Sequence, residues 1–541
     1  MKTLFTILRI SFITILICFA FNGQSNNVKI DSDPIIINTD ADNDFSNIQF
    51  DMSWDNSWRD ATNWDAVWVF VKYRVGAGNW QQAYLSTNAM NHTVGSNNGV
   101  APAFAVGTTN ISGNDRGMGV FIYRNANGTG NINWDQVNLR WNYGENGVAD
   151  GDQVTIKVFA IEMVYVPLGS FYVGDGVNVA PEGRFSVASS TVTPFQITSE
   201  NALTLGGLVA GNLGNNNATG MATADDYNNA VTQTLPAAFP KGFAAFYCMK
   251  YEVSQEEYVD FLNTLTRTQQ VSRVGTNIAV GVSSVTNRYV MATAIAMFKR
   301  NGIRCDAAID PNNPVTFYCD FNGNSVPNEN GDGQTIAMNM ITFGDQVAYT
   351  DWAGLRPMTE LEFEKACRGT VIPIANEGPW GTNVVTSATS ILNGGLENET
   401  GNPIAANCNV NNALLPNDNI NNGPMRCGAF STAISTRTQS GASYYGIMDL
   451  AGNLWDRIVT TGHANGRSFT GLHGDGSLDG SGNADVSLWP ANNALGSGFR
   501  GAAYAGAAGQ QRWNTSSRQA ASSLSIIRAS TSGFRCVRTA P

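Results

Sequence analysis

The chain has 541 residues, and 43% of them are hydrophobic, enough for two or three packed cores. Only 14% are charged while glycine reaches 56 residues, a loop-rich, β-leaning mixture that sets aside a helical cytosolic enzyme. The formal net charge of -11 excludes nucleic acid and anionic membrane as partners, because each needs a basic face, and it suits calcium.

At the start, Lys2 and Arg9 precede the apolar run Ile10 to Phe21, and polar Asn22 to Asn27 follow. That is the layout of a secretory signal over 1–25, with cleavage near Ser25 or, alternatively, at Gly23, so the expected location is secreted, cell-surface or periplasmic. The run is too short to span a bilayer, and no membrane insertion is expected once it is removed. Cys18 is set aside as a lipoprotein cysteine because bulky Ile17 stands where a small residue belongs.

Residues 26–160 read as an all-β sandwich of unknown role. Val67 to Val75 and Val154 to Ile161 are rich in β-branched and aromatic residues, with Gly76 to Gly78 as punctuation. Trp54, Trp58, Trp64, Trp68, Trp80, Trp134 and Trp141 cluster here; they are assigned to the core, with a sugar-stacking module as the alternative. A second domain runs over 161–541, interrupted by insertions at about 177–240, read as loop or small hairpin, and 266–333. Between the insertions, Ser254 caps a helix with Glu257 at the capping-box position and Tyr258, Phe261 and Leu262 as its apolar stripe. Asp320 to Gly333 alternates oxygen side chains but lacks the EF-hand glutamate at the twelfth position, so it reads as a turn-rich loop. The helix preceding Trp352 is expected within Asn339 to Trp352. In the next helix Thr359 is the N-cap, Glu362 completes the box, Gly369 is the stop, and Leu361, Phe363 and Ala366 face a core.

Three ordered segments carry a resemblance: Trp352 to Gly369 (WAGLRPMTELEFEKACRG), Tyr445 to Asp456 (YGIMDLAGNLWD) and Gly533 to Arg538 (GFRCVR). Together they resemble the formylglycine-generating enzyme, or sulfatase-modifying factor, family. Glu162 to Gly174 (EMVYVPLGSFYVG) resembles the opening of its domain. The departures are Pro357 shifted by one place, Phe363 for tryptophan and Asp456 for glutamate. The resemblance implies an α+β fold of the C-type-lectin-like kind, here preceded by the all-β sandwich.

It also implies chemistry that can be checked residue by residue. Aerobic members of that family oxidise a sulfatase cysteine with copper held by a cysteine pair after an R-G-G-S-type turn, because Cu(I) prefers sulfur. That turn corresponds to Arg500-Gly501-Ala502-Ala503-Tyr504, and no cysteine follows until Cys536, so neither copper nor a catalytic residue is expected. Only His92, His463 and His473 are available to iron, and the last two read as solvated. No G-x-S-x-G elbow presents a nucleophile. Structural calcium is implied at Asn453, the carbonyl of Leu454 and Asp456, and again at Asn407, the carbonyl of Cys408, Asp418 and the carbonyl of Ile420, a hard-oxygen set. One disulfide, Cys367 with Cys536, follows from the resemblance; local spacing suggests Cys305 with Cys319 and Cys408 with Cys427.

Small residues crowd Ala502 to Ser532, and the face expected to bind a ligand comprises Ala502 to Trp513, with Ala503, Tyr504, Ala505, Gln510, Arg512 and Trp513 as its contacts, together with the loops His463 to Trp489. The segment resembles the variable stretch of retroelement-diversified lectin-fold proteins; a plain low-complexity loop is the alternative. The expected function is an exported, non-catalytic binding or surface-interaction protein for an extracellular protein or glycan. Alternatives are a cysteine-oxidising enzyme, a retroelement-diversified binder and a structural part of an envelope secretion or motility complex.

Overall fold

The computed structural model describes residues 27–177, 183–215, 223–410, 418–432, 434–505 and 512–541, so the expected signal and Gln510 lie outside the described residues. Among the described residues no helix is long and apolar enough to cross a membrane.

The N-terminal part is two face-packed sheets. The outer sheet contains β1 (Lys29–Ile30), β2 (Ile35–Asp40), β3 (Phe45–Arg59), β6 (Thr93–Ser96) and β9 (Gly128–Trp141). On β3 burial alternates residue by residue, so Ile48, Phe50, Met52 and Trp54 point inward while their neighbours meet water. Trp54, Trp68, Trp134 and Trp141 are fully buried, which bears out the core assignment for these four; Trp58, Trp64 and Trp80 are half-buried.

The inner sheet joins the two parts of the protein. Its strands are β4 (Asp65–Val75), β5 (Gln81–Gln82), β7 (Pro102–Ile111), β8 (Asn114–Arg124), β10 (Val154–Val166), β11 (Phe246–Met249), β12 (Arg356–Pro357) and β16 (Cys536–Thr539), ordered β12-β16-β11-β10-β4-β8-β7 with β5 on β4. The expected boundary at 160/161 falls inside β10, which pairs with β4 from Val154↔Val75 to Val164↔Asp65 and with β11 from Met163↔Met249 to Val166↔Phe246. Strand periodicity lets β4 serve two cores: Val67, Val69, Val71 and Tyr73 face the sandwich, and Ala66, Trp68 and Phe70 face the second part.

Against that second face pack α1 (Gln255–Leu262) and α3 (Phe343–Trp352), with α2 (Arg267–Arg273) beside them. Each opens with a capping box, at Ser254/Glu257, Thr342/Asp345 and Thr266/Gln269. α4 (Glu360–Arg368) is capped by Thr359 and Glu362 as expected. Its charged residues are not solvated: Glu360, Glu362, Glu364, Lys365 and Arg368 are all buried with Leu361, Phe363 and Ala366. A three-stranded sheet of β13 (Trp455–Val459), β14 (Ser497–Arg500) and β15 (Ser532–Gly533) lies nearby, with β13 antiparallel to β14 and parallel to β15.

The first insertion is more than a loop. Phe185–Val187, Leu213–Asn215, Leu203–Leu205 and Gln233–Leu235 form a four-stranded sheet whose Phe185, Leu205 and Leu213 share a core with Leu361 and Val459. In the second, α2 is followed by a hairpin of Ile303–Arg304 with Tyr318–Cys319. Asp320 there pairs with Arg304 and accepts from the Ser325 amide at 3.1 Å, consistent with a turn-rich loop.

Candidate functional site

The signature helix α4 is the centre of a buried ion network. Glu360 accepts from Arg518 Nε at 2.7 Å and Nη2 at 2.9 Å, from Arg500 Nη1 at 3.2 Å and from the Thr461 amide at 2.7 Å. Arg518 reaches on to Asp225 at 2.6 Å, Arg500 to Glu364 at 2.7 Å, and Arg368 to Glu364 at 3.3 Å and to Glu377. Burial opposes charge on Glu360, but Arg518 and then Arg500 outweigh it and hold the carboxyl below its ordinary range. Glu362 meanwhile takes a bidentate pair from Arg356 at 2.6 and 2.9 Å. Asp225 and Glu377 carry no local signal in the sequence; only the tertiary fold brings them here.

The turn expected to mark the catalytic face is packed rather than open. Arg500 is anchored on Glu360 and Glu364, Ala502, Ala503 and Tyr504 are buried, and the Tyr504 amide donates to Asn453 O at 2.8 Å. Trp513 is buried and stacks on Trp380, ring centroids 5.6 Å apart. Ala503, Tyr504 and Trp513 are therefore core residues, not a ligand face; Arg512 is half-buried, and of the five described residues Ala505 alone is exposed. Between Trp513 and Gln519 every residue is buried, because Arg518 must reach Glu360.

The expected cation turns are closed by arginines. Both Asp456 oxygens accept from Arg535 Nε, at 3.0 and 3.1 Å. The Asn453 amide donates to Glu252 at 2.6 Å, and the Leu454 amide donates to Glu252 at 3.0 Å. At the second turn, Asn407 Oδ1 accepts from the Thr386 amide at 3.0 Å and Cys408 O from the Ala388 amide at 2.9 Å. Asp418 folds onto the amides of Ile420 and Asn421 at 2.9 and 2.6 Å, while Ile420 O accepts from Arg300. In both places a guanidinium supplies positive charge. A different trio has the donors for a hard cation: the carboxylate oxygens of Asp351, Asp475 and Asp485 lie within 4.8 Å of one another. Burial, then Asp475 and Asp485, raises the Asp351 carboxyl well above its usual range.

The three disulfides are not formed: all seven described cysteines are unbonded and buried. Cys367 lies on α4 and faces the core around Phe246 and Ile447, whereas Cys536 lies in the α1/α3 core against the Thr350 hydroxyl at 3.1 Å. Cys408 and Cys427 belong to separate clusters, and the hairpin register sets Cys319 opposite Ile303 rather than Cys305. Burial pushes the Cys248 thiol up to about 12 and Cys305 to about 11, and raises the other five as well, so none offers a thiolate near neutral pH. His473 is half-buried and hydrogen-bonded rather than solvated; it accepts from the Thr539 amide at 3.0 Å, and desolvation, with Arg538 and Arg356, lowers it well below its ordinary range.

Concave surface lies instead where the inner sheet meets the helices. A cavity of about 840 Å³ has Phe70 and Phe159 on one wall and Glu256, Glu257 and Asp260 of α1 on the other. Partial burial raises Asp260 to about 6 and Glu257 to about 7. A second cavity of about 250 Å³ lies across Trp352 from it, beside Lys72, whose Nζ donates to the carbonyls of Trp352 and Gly476, both at 2.7 Å. Burial lowers Lys72 to about 7 against the pull of Asp351 and Asp475.

A search of curated proteins finds no match to this chain. The family model for the sulfatase-modifying factor enzyme 1-like domain matches residues 210–540, more than half the chain, and covers all three signature segments and the network around α4. The chain belongs to the FGE-sulfatase family.

Proposed function

We propose that the protein is an exported, non-catalytic binding protein on this family's scaffold, with its ligand housed where the inner sheet meets α1 and α3. The observation that carries the reading is the state of the thiols: each described cysteine is buried with a raised pKa, and no cysteine stands between the turn at Arg500 to Tyr504 and Cys536, where a copper-binding pair would be needed. The network around Glu360 then serves stability, and the cavities at the junction offer the concave, mixed polar and aromatic surface that ligands require. Export is supported by the charged and apolar layout of residues 1–25. The test incubates the full chain with Cu(I), oxygen and a cysteine peptide and follows the peptide by mass spectrometry. An unchanged peptide is expected; conversion of its cysteine to an aldehyde overturns the reading.

A further inference from the structure

The larger cavity runs along an open sheet edge. β10 pairs with β4 from Val154↔Val75 to Val164↔Asp65, but on its other side β11 begins only at Met163. Alternation along the strand decides which main-chain groups face that uncovered side. Gln153 O accepts from the Gly76 amide on the β4 side at 2.8 Å, and Glu162 O accepts from the Lys250 amide on the opposite side at 3.0 Å. Even-numbered residues therefore turn their N–H and C=O away from β4, so Val158 and Ala160 present theirs along the line that β11 would follow if it continued. No hydrogen bond from a described residue meets the main chain of either on that side. Both residues are half-buried rather than sealed, and both line the cavity of about 840 Å³. An edge with open donors and acceptors is a template for a further strand.

The walls around that edge are acidic. Glu256, Glu257 and Asp260 of α1, Asp31 just after β1, and Glu397 line the cavity, and Lys29 is the one basic residue among its lining. Asp31, Glu256 and Glu397 are exposed and Glu257 and Asp260 are half-buried, so these charges are within reach of a partner. Lys157, the only lysine of β10, lies over the Trp80 ring at 5.2 Å and does not line the cavity. The five carboxylates are spread over three segments of chain; the trio gathered closely enough for one metal ion is Asp351, Asp475 and Asp485, elsewhere. Charge distributed in this way suits an extended partner with several cationic groups rather than a single ion.

Resting on the binding reading above, we propose that the open edge of β10 takes an extended basic segment of a partner protein, which adds a strand beside Val158 and Ala160 and sets its lysine or arginine side chains against the carboxylates of α1, Asp31 and Glu397. In such strand addition the main chain supplies affinity and the side chains supply selection. Side chains alternate across a strand, so every second residue of the segment faces α1, and a basic residue at alternate positions is the matching pattern. Asp31 belongs to the sandwich and α1 to the family domain, so neither part has the whole site alone.

The test is fluorescence anisotropy on the full chain with a labelled short peptide in which lysine alternates with threonine and valine, beside the same peptide with glutamate in place of lysine. The lysine peptide is expected to bind and the glutamate peptide to stay free. Asp31→Lys combined with Glu256→Lys, both at exposed positions away from the core, is expected to weaken binding about tenfold. Hydrogen exchange read by mass spectrometry is expected to slow within residues 154–162 when the lysine peptide binds, a change that simple adhesion to an acidic surface does not produce. Failure of the lysine peptide to bind, equal binding of the glutamate peptide, or binding without protection of that strand each overturns the proposal. So does a dimer in sedimentation whose β10 edge is already protected, because a second copy then fills the edge. If the lysine peptide fails while the cysteine peptide stays unoxidised, the strand-addition assignment falls and the non-catalytic reading stands; oxidation of the cysteine peptide removes that reading whatever the lysine peptide does.

Discussion

Glu360 shows how much a single charge can be asked to hold. It is wholly buried and meets Arg518, Arg500 and the Thr460–Thr461 corner, so three separate stretches of chain converge on one carboxylate. Removing one partner of a buried pair strands the other, and Arg518→Leu is expected to lower unfolding free energy by about 3–5 kcal/mol, read from the urea midpoint. Glu257 illustrates the opposite sign. Its folded pKa, about 7, stands above the ordinary 4.5, mainly through burial, so the folded state holds the extra proton between those values. Its contribution to stability is therefore lost as pH rises from about 4.5 to 7. Glu257→Gln keeps a capping side chain and is expected to flatten that part of the stability–pH curve, followed by thermal melts across the range. At the cysteines, the folded chain is expected to resist iodoacetamide at neutral pH and to label fully once denatured, as intact mass would show.

At the scale of elements, α4 and β14 set the tolerances. Thr359 caps α4 through the Glu362 amide at 3.2 Å and donates its hydroxyl to Pro240 O at 2.9 Å. Thr359→Ala is expected to cost about 1 kcal/mol or somewhat more, measured by denaturant titration. Gly498 in β14 is needed for close approach: a Cβ there would lie 1.7 Å from the main-chain oxygen of Ala521. That oxygen is backbone and cannot swing aside, so Gly498→Ala is expected to cost about 1–3 kcal/mol or to prevent folding, visible in soluble yield. α1 and α4 were legible because capping boxes are local. The burial of Lys365 and Arg368 was not, because the same charges on an isolated helix read as a solvated face.

The whole molecule is joined by the inner sheet, to which the sandwich contributes β4, β5, β7 and β8 and the family part β11, β12 and β16, with β10 shared. Trp68 Nε1 and Lys72 Nζ on β4 donate to carbonyls of Ala353 and Trp352, so the contact is hydrogen-bonded as well as apolar. The full chain is expected to melt in one calorimetric transition, and residues 161–541 expressed alone to be insoluble, because the cut exposes the face that Trp68 and Phe70 cover. Two independent transitions would show instead that each part folds by itself.

What the sequence by itself determined was local and periodic: the strand character of Val67 to Val75, the caps at Ser254 and Thr359, the assignment of Trp54, Trp68, Trp134 and Trp141 to a core, and three ordered motifs sufficient to recognise the family. Only the tertiary structure decided which charges are buried, that Asp456 answers to Arg535 and Ile420 to Arg300, and that Ala503, Tyr504 and Trp513 are core. Alternation and capping depend on neighbours a few residues apart, whereas the partner of a buried carboxylate is chosen by packing across hundreds of residues, and spacing along the chain records nothing of it.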